Sequence, residues 1–220
     1  MRIATLAATL IVGASAAVSA VAWQAPNPSD ANAWQIGPII KSKNHSVGMP
    51  LHPTPGPRGW YFDFPYPSVG AGHVHYLTLN HGPLTGKKKI VIRYRIDAAR
   101  GVRFLPREFP EQRPATISLY FQRRGDTWNA KGNYETYRWY APLHTVVPIV
   151  PGEHTVTVSL QDSSWISVWG ANAAARPDGF REAINEADRV GFVLGSREGR
   201  GHGVHATGPA RMTVISFQVM

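Results

Sequence analysis

The sequence predicts an all-β chain: an antiparallel β-sandwich or jelly roll with one short helix near residues 178–188. Three observations point there. From Trp60 onward, short runs rich in β-branched and aromatic residues alternate with turn signals. Two of those runs hold a period of two, the spacing of a half-buried strand. Only one stretch repeats its apolar residues with the period of a helix.

The elements follow in chain order. Met1-Arg2 precedes an apolar run from Ile3 to Val18, and Ala20-Val21-Ala22 gives a small-x-small exit. This is the order of a secretory signal peptide. The run is too short and too rich in Ala and Gly to suit a membrane span. Residues 1–22 are therefore expected to be a leader, with 23–220 as a secreted or periplasmic protein that has no transmembrane segment after processing. Residues 23–59 are rich in proline (Pro26, Pro28, Pro38, Pro50, Pro53, Pro55, Pro57), which excludes a regular helix. They are expected to pack on the domain, with an edge strand at 34–40 broken at Gly37-Pro38.

Residues 60–220 form one domain in this reading, with strands expected at 60–64, 73–79, 88–97, 115–123, 134–140, 144–150, 153–161, 189–195 and 210–220. In 88–97, Ile90, Ile92, Tyr94 and Ile96 share a face opposite Val91, Arg93, Arg95 and Asp97. In 153–161, Val156, Val158 and Leu160 oppose Thr155, Thr157 and Ser159. Pro151-Gly152 reads as a tight turn between strands. After Pro177, Asp178 can cap a helix that aligns Phe180, Ala183, Ile184 and Ala187 on one face.

Composition limits the chemistry. The chain has no cysteine, which excludes disulfides, a thiol nucleophile and cysteine-ligated zinc. Seven Trp, eight Tyr and eight Phe supply the core instead. Lys and Arg number 23 against 14 Asp and Glu, and removing Arg2 with the leader lowers the net charge from +9 to about +8. That surplus favours anionic partners. For an exported protein these are acidic glycans or membrane surfaces, and nucleic acid is not expected.

The C-terminal segments carry a resemblance. Gly179-Phe180-Arg181-Glu182-Ala183 leads into Arg189-Val190-Gly191-Phe192-Val193-Leu194-Gly195, then a Gly-rich loop and a closing run from Met212 to Val219. This resembles the end of galactose-binding-like jelly-roll modules, the architecture of many carbohydrate-binding modules. Gly59-Trp60-Tyr61-Phe62-Asp63-Phe64-Pro65, the run from Tyr120 to Trp128, and Gly201-His202-Gly203-Val204 are similar to segments of an uncharacterised group of exported bacterial proteins. The first likeness implies an architecture and the second implies no activity. Neither supplies catalytic residues, and fold alone does not imply function.

The most suggestive side chains are arginines and rings on strands. Arg93 and Arg95 share a face, as do Tyr120 and Gln122, and Arg138 is expected beside Tyr134 and Tyr140. If those strands are neighbours, one sheet face presents guanidinium forks beside rings, which suits the apolar faces, hydroxyls and carboxylates of sugars. Trp128, Trp165 and Trp169, near loops, could add stacking surface. The leading expectation is an exported, non-catalytic glycan-binding protein that uses Arg93, Arg95, Tyr120, Gln122, Tyr134, Arg138 and Trp128. Its ligand is expected to be an anionic envelope or extracellular glycan, and no cofactor is expected.

Two alternatives stand beside it: a structural envelope protein, and a polysaccharide-active enzyme on the same scaffold. The segment Lys131-Gly132-Asn133-Tyr134-Glu135-Thr136-Tyr137 is similar to the Tyr-rich strand of jelly-roll polysaccharide lyases. That likeness implies a catalytic set of His75, Tyr134, Tyr137 and Arg93. It departs from the pattern in two ways, because His73 stands where Gln belongs and the Tyr segment falls mid-chain. A hydrolase needs two facing carboxylates, with Asp63, Glu108, Glu111, Asp126, Glu135 and Asp162 as candidates. A metal site would use His73 and His75, on one face of the expected strand, with a distant His202; His81 and His205 are further imidazoles. Gly199-Arg200-Gly201-His202-Gly203 leads to no helix N-terminus and so makes no dinucleotide site. Arg124-Gly125-Asp126 reads simply as a turn.

Overall fold

The computed structural model describes residues 25–67, 73 and 75–220, so the expected leader lies outside the described residues. The N-terminal segment contributes β1 (Trp34–Gly37), β2 (Ile39–Ile40), β3 (Lys43–Asn44) and β4 (Thr54–Gly56). The domain continues with β5 (Gly59–Asp63), β6 (Tyr76–Asn80), β7 (Lys89–Ala98), β8 (Phe104–Pro106), β9 (Thr116–Arg123) and β10 (Arg138–Tyr140). It ends with β11 (Val147–Pro148), β12 (Gly152–Ser159), β13 (Ile166–Ser167), helix α1 (Pro177–Asn185), β14 (Ala187–Gly195), β15 (Val204–Ala206) and β16 (Ala210–Val219).

Two antiparallel sheets carry the architecture. One is seven-stranded, in the order β1-β6-β14-β9-β10-β13 with β11 also on β9; the other is five-stranded, in the order β12-β7-β16-β5-β4. The chain passes back and forth between them, from β5 to β6, β6 to β7 and β7 to β9, as a jelly roll does. The sandwich expected from the sequence is the observed fold.

The sheets meet through rings. Trp34 of β1 lies 4.8 Å from Trp60 of β5 and 4.9 Å, edge-on, from Phe217 of β16. Trp60 stacks at 6.3 Å on Phe192 of β14. The alternation in β7 does what its period requires: Ile90, Ile92, Tyr94 and Ile96 are buried, while Arg93 and Arg95 face solvent. The five-stranded sheet thus has one wet face, covered by ion pairs.

The seven-stranded sheet differs. In β9 every residue from Thr116 to Gln122 is buried, so its outer face is covered as well. The cover is a second cluster of Tyr76, Tyr120, Tyr140 and Val193, with Trp128, Ile166 and Val168 packed on it.

Several local expectations are corrected. Helix α1 begins at Pro177, whose fixed φ suits the first helical position, so Asp178 lies in the first turn and pairs with Arg181 instead of capping. Phe180 then packs on Trp139 at 5.0 Å and Phe121 at 5.8 Å. Residues 134–140 are not one strand, because a 3-10 turn at Gly132–Thr136 precedes β10. Side chains three apart nearly eclipse in such a turn, and Tyr134 and Tyr137 meet at 4.9 Å. Residues 144–150 likewise split into a 3-10 turn at Leu143–Thr145 and β11. His73 and His75 precede β6: the His75 N–H donates to Ser46 Oγ (3.2 Å) and not to a neighbouring strand. Among the described residues no helix is long and apolar enough to cross a membrane.

Candidate functional site

The outer face of the seven-stranded sheet is organised by register. Across the β9–β10 pair, Gln122 stands opposite Arg138 and Tyr120 opposite Tyr140. The chain leaves β9 through Gly125 and returns Asp126 over this pair. Asp126 Oδ2 accepts from Gln122 Nε2 (2.7 Å) and Arg138 Nε (2.8 Å). Its Oδ1 accepts from Arg138 Nη2 (3.1 Å) and from the Trp128 N–H (2.8 Å). The two bonds from Arg138 form a charge-assisted fork, and the side chains involved are only 6% and 1% exposed.

That anchoring places Trp128. Its backbone is left-handed (φ 68°), as is that of Ala130 (φ 53°), a strained conformation for residues with a Cβ. The Trp128 indole lies 4.4 Å beneath the Arg138 guanidinium and 4.9 Å, edge-on, from Tyr76. Burial opposes the charge on Arg138, but the Asp126 carboxylate, which accepts two hydrogen bonds from it, outweighs burial and holds its pKa above the ordinary value.

Hydroxyls tie the floor together. Tyr76 and Tyr140 share a hydrogen bond between their phenol oxygens (2.6 Å), and Arg138 Nη1 donates to the Tyr140 oxygen (3.4 Å). Tyr120 reaches across β14 to the hydroxyl of Thr78. It can do so because Gly191 stands between them: a Cβ there would lie 3.1 Å from the Tyr120 ring and 2.0 Å from the Leu77 carbonyl oxygen. Burial raises the pKa of both Tyr76 and Tyr120 above the usual value, so they serve here as neutral phenols.

Above this floor lies a cavity of about 580 Å³, lined by Tyr76, Tyr140, Trp128, Trp169, Arg138 and Arg200 among others. The Gly-rich loop forms one wall. A Cβ on Gly201 (φ 76°) would fall 2.6 Å from the Tyr76 hydroxyl, so that approach needs glycine. The loop brings in Arg200, buried, whose Nε donates to the Arg197 carbonyl (3.2 Å) and whose Nη1 donates to the Ala141 carbonyl. No ion pair to Arg200 is found among the described residues. Burial lowers its pKa to about 10, well above neutral pH, so it stays charged. The opposite wall carries Trp169, 69% exposed, with its indole N–H held by the Ala130 carbonyl at 2.8 Å.

His75 also lines the cavity. Its Nε2 is buried without a hydrogen-bond partner, and burial followed by the charges of neighbouring groups lowers its pKa to about 4. It is a neutral imidazole at physiological pH. The expected metal trio does not converge: the ring of His73 lies 6.4 Å from that of His75 and 5.6 Å from that of His205, and His202 Nδ1 pairs with Glu108 at 2.9 Å. Among the described residues no group of three His, Asp or Glu is placed to hold a metal.

The structure brings together four of the seven expected ligand residues: Tyr120, Gln122, Trp128 and Arg138. Tyr120 and Gln122 are fully buried, so they build the floor and do not touch a ligand. Arg93 and Arg95 lie elsewhere. Their strand belongs to the other sheet, where Arg93 Nε meets Glu153 and Arg95 Nε meets Asp97, each at 2.7 Å. Tyr134 stays in its 3-10 turn, and Tyr137 lines a separate cavity of about 510 Å³ with Arg123 over its ring at 4.6 Å. Of the lyase-like set, only His75 reaches the central cavity. Trp165 is buried in the core.

Five of the six hydrolase candidates pair with separate basic side chains: Asp63 with Arg211, Glu108 with His202, Asp126 with Arg138, Glu135 with Arg176 and Asp162 with His144. Glu198 is the carboxylate among the described residues lining the cavity. Sequence reasoning weighed Asp126 only as a hydrolase carboxylate and a turn residue, missing its anchoring role, and it did not place Arg200 or Glu198 in the site. For Asp126 a local signal existed, since an Asp two residues before Trp128 can accept that residue's N–H in an Asx turn. For Arg200 and Glu198 there was none.

No family model matches the chain, and no curated protein matches its sequence. Two solved structures are similar in backbone. One is a xylan-binding module, CBM15, at 15% identity over 84% of this chain and 92% of that one, with a TM-score of 0.38. The other is a candidate glycoside hydrolase from Bacteroides vulgatus, at 11% identity over 77% of each chain, with a TM-score of 0.36. Both likenesses are too distant to bear on what this chain does, and its function has to be read from the cavity.

Proposed function

We propose that this is an exported, non-catalytic protein that binds a glycan carrying negative charge in the cavity on the outer face of the seven-stranded sheet. One observation carries the reading: a concave site walled by Trp128, Trp169, Tyr76 and Tyr140 holds a buried guanidinium, Arg200, that has no acidic partner among the described residues. Rings offer flat apolar surface to the faces of sugar rings, while a few convergent polar groups set orientation. A buried cation without a counter-ion gains most from a ligand carboxylate or sulfate, which replaces solvation lost on folding. The overall charge of +9 supports the same sign of partner. Export rests on residues 1–22, and the N-terminal sequence of protein recovered outside the cytoplasm should begin after Ala22.

Binding is tested with a panel of alginate, polygalacturonate, hyaluronan and glucuronoxylan against neutral cellulose and starch, by calorimetry at low salt. Binding to at least one acidic polymer, lost about tenfold in Trp169→Ala and Arg200→Leu, is the expected result. A protein that binds none of the panel refutes the proposal.

A further inference from the structure

We propose that the ligand is read as an internal stretch of a linear chain whose negative charge recurs along its length, lying across the seven-stranded sheet from one edge to the other. This rests on the glycan reading above. The observation behind it is that the central cavity has a neighbouring cavity on each side and shares lining residues with both. Towards β1 lies a cavity of about 590 Å³, lined in part by Gln35, Lys41, Thr78 and Arg189, which shares Ile40, Trp128 and Asn129 with the central one. Towards β13 lies one of about 700 Å³, lined in part by Leu143, His144, Ser164 and Arg197, which shares Ile166, Gly170, Glu198 and Arg200.

In this proposal the ligand uses the three together as one trough. It runs from β1 to β13, the two ends of a path of six strands, and at about 4.8 Å between neighbours that path is about 24 Å long. A pyranose in a chain advances by roughly one such spacing, so the trough takes about five rings. Its ends reach exposed residues, Gln35 and Lys41 on one side and Leu143 and Ser164 on the other, so a chain can enter and leave without terminating inside.

Each lobe also supplies a cation. The first has Lys41, presented by the two-residue Lys41-Ser42 turn in which both φ values are positive, and Arg189, whose Nε lies 4.0 Å from Asp188. The centre has Arg200, shared with the third lobe, which adds Arg197. Against these stand Glu198 and an Asp126 already engaged by Arg138. Cations spaced along the trough match a chain charged at repeating units, such as a polyuronate, better than a sugar with one terminal charge.

The experiment uses calorimetry on the full protein with oligogalacturonates, alginate oligosaccharides and hyaluronan oligosaccharides from disaccharide to octasaccharide, with cello-oligosaccharides as the uncharged series. In an acidic series, affinity should climb with each added ring to about five rings and then level off, with a steeper salt dependence for longer chains. Gln35→Trp and Ser164→Trp, which fill the end lobes, should each lower the octasaccharide-to-trisaccharide affinity ratio about tenfold. Thermal melting shows whether each variant is folded, and the two variants test opposite ends independently. A disaccharide that binds as tightly as the octasaccharide overturns the trough and leaves a single-pocket glycan binder. Equal affinity for the cello-oligosaccharides overturns the recurring charge. No binding in any series, nor to the parent polymers, overturns the glycan reading itself.

Discussion

Replacing Asp126 with Asn tests the keystone of the site at almost constant shape. The carboxylate accepts four hydrogen bonds: two from Arg138, one from Gln122 and one from the Trp128 N–H. Asn keeps one acceptor oxygen, and its amide nitrogen then faces the Gln122 Nε2 and Arg138 Nε donors with donors of its own. The Arg138 charge, 6% exposed, loses its counter-ion without gaining solvent. Removing one partner of a buried pair costs about 3–5 kcal/mol, against about 5–15 kcal/mol for the whole stability of an ordinary domain. Urea unfolding followed by tryptophan fluorescence reads the loss directly. The double variant Asp126→Leu/Arg138→Met, which removes both charges, should regain most of it, since an apolar replacement of a buried pair is often neutral. Trp128 should also move in the single variant, because its left-handed backbone relies on the Asp126 Oδ1 bond. A loss below about 1 kcal/mol, the scale of an exposed pair, would refute the claim that Asp126 organises this face.

Three further outcomes are expected. Gly191→Ala should destabilise the fold by about 1–3 kcal/mol in denaturant titration, because its Cβ has no room between the Leu77 carbonyl and the Tyr120 ring. Stability should fall as pH drops from 6.5 towards 4, because there the unfolded chain protonates at His75 while the folded one, with a pKa of about 4, does not. The His75 contribution is present in full above pH 6.5 and amounts to about 3 kcal/mol, and His75→Leu should flatten that part of the pH profile in thermal melts. Arg93→Ala and Arg95→Ala should cost less than about 1 kcal/mol each and leave glycan affinity unchanged, since both sit in exposed pairs on the other sheet; a large affinity loss would place the ligand there instead.

What the sequence determined by itself was local. A period of two is a property of neighbouring residues, so the strands holding Arg93 and Val156 could be placed, with the correct residues inward, from the pattern alone. The apolar repeat likewise marked the one α-helix among the described residues, although its last member, Ala187, begins β14. The strand β9 was also located, but it is buried on both faces, so its polarity does not alternate and the pattern could not say which face meets the other sheet. The 3-10 turn at Gly132–Thr136 misled for a related reason: its tyrosines look like strand residues but are paired by the eclipsed geometry of the turn.

Only the tertiary structure decided which arginine belongs to which face. Arg95 and Arg138 read alike as strand residues beside rings, yet one strand sits in the five-stranded sheet and the other in the seven-stranded sheet. Strand order is set by which apolar faces close the core together, and that choice is made between segments far apart in the chain. The cavity has the same origin, because Arg138, Trp169 and Arg200 converge from separate loops and strands held by Asp126, by the Ala130 carbonyl and by the room that glycine leaves at residue 201.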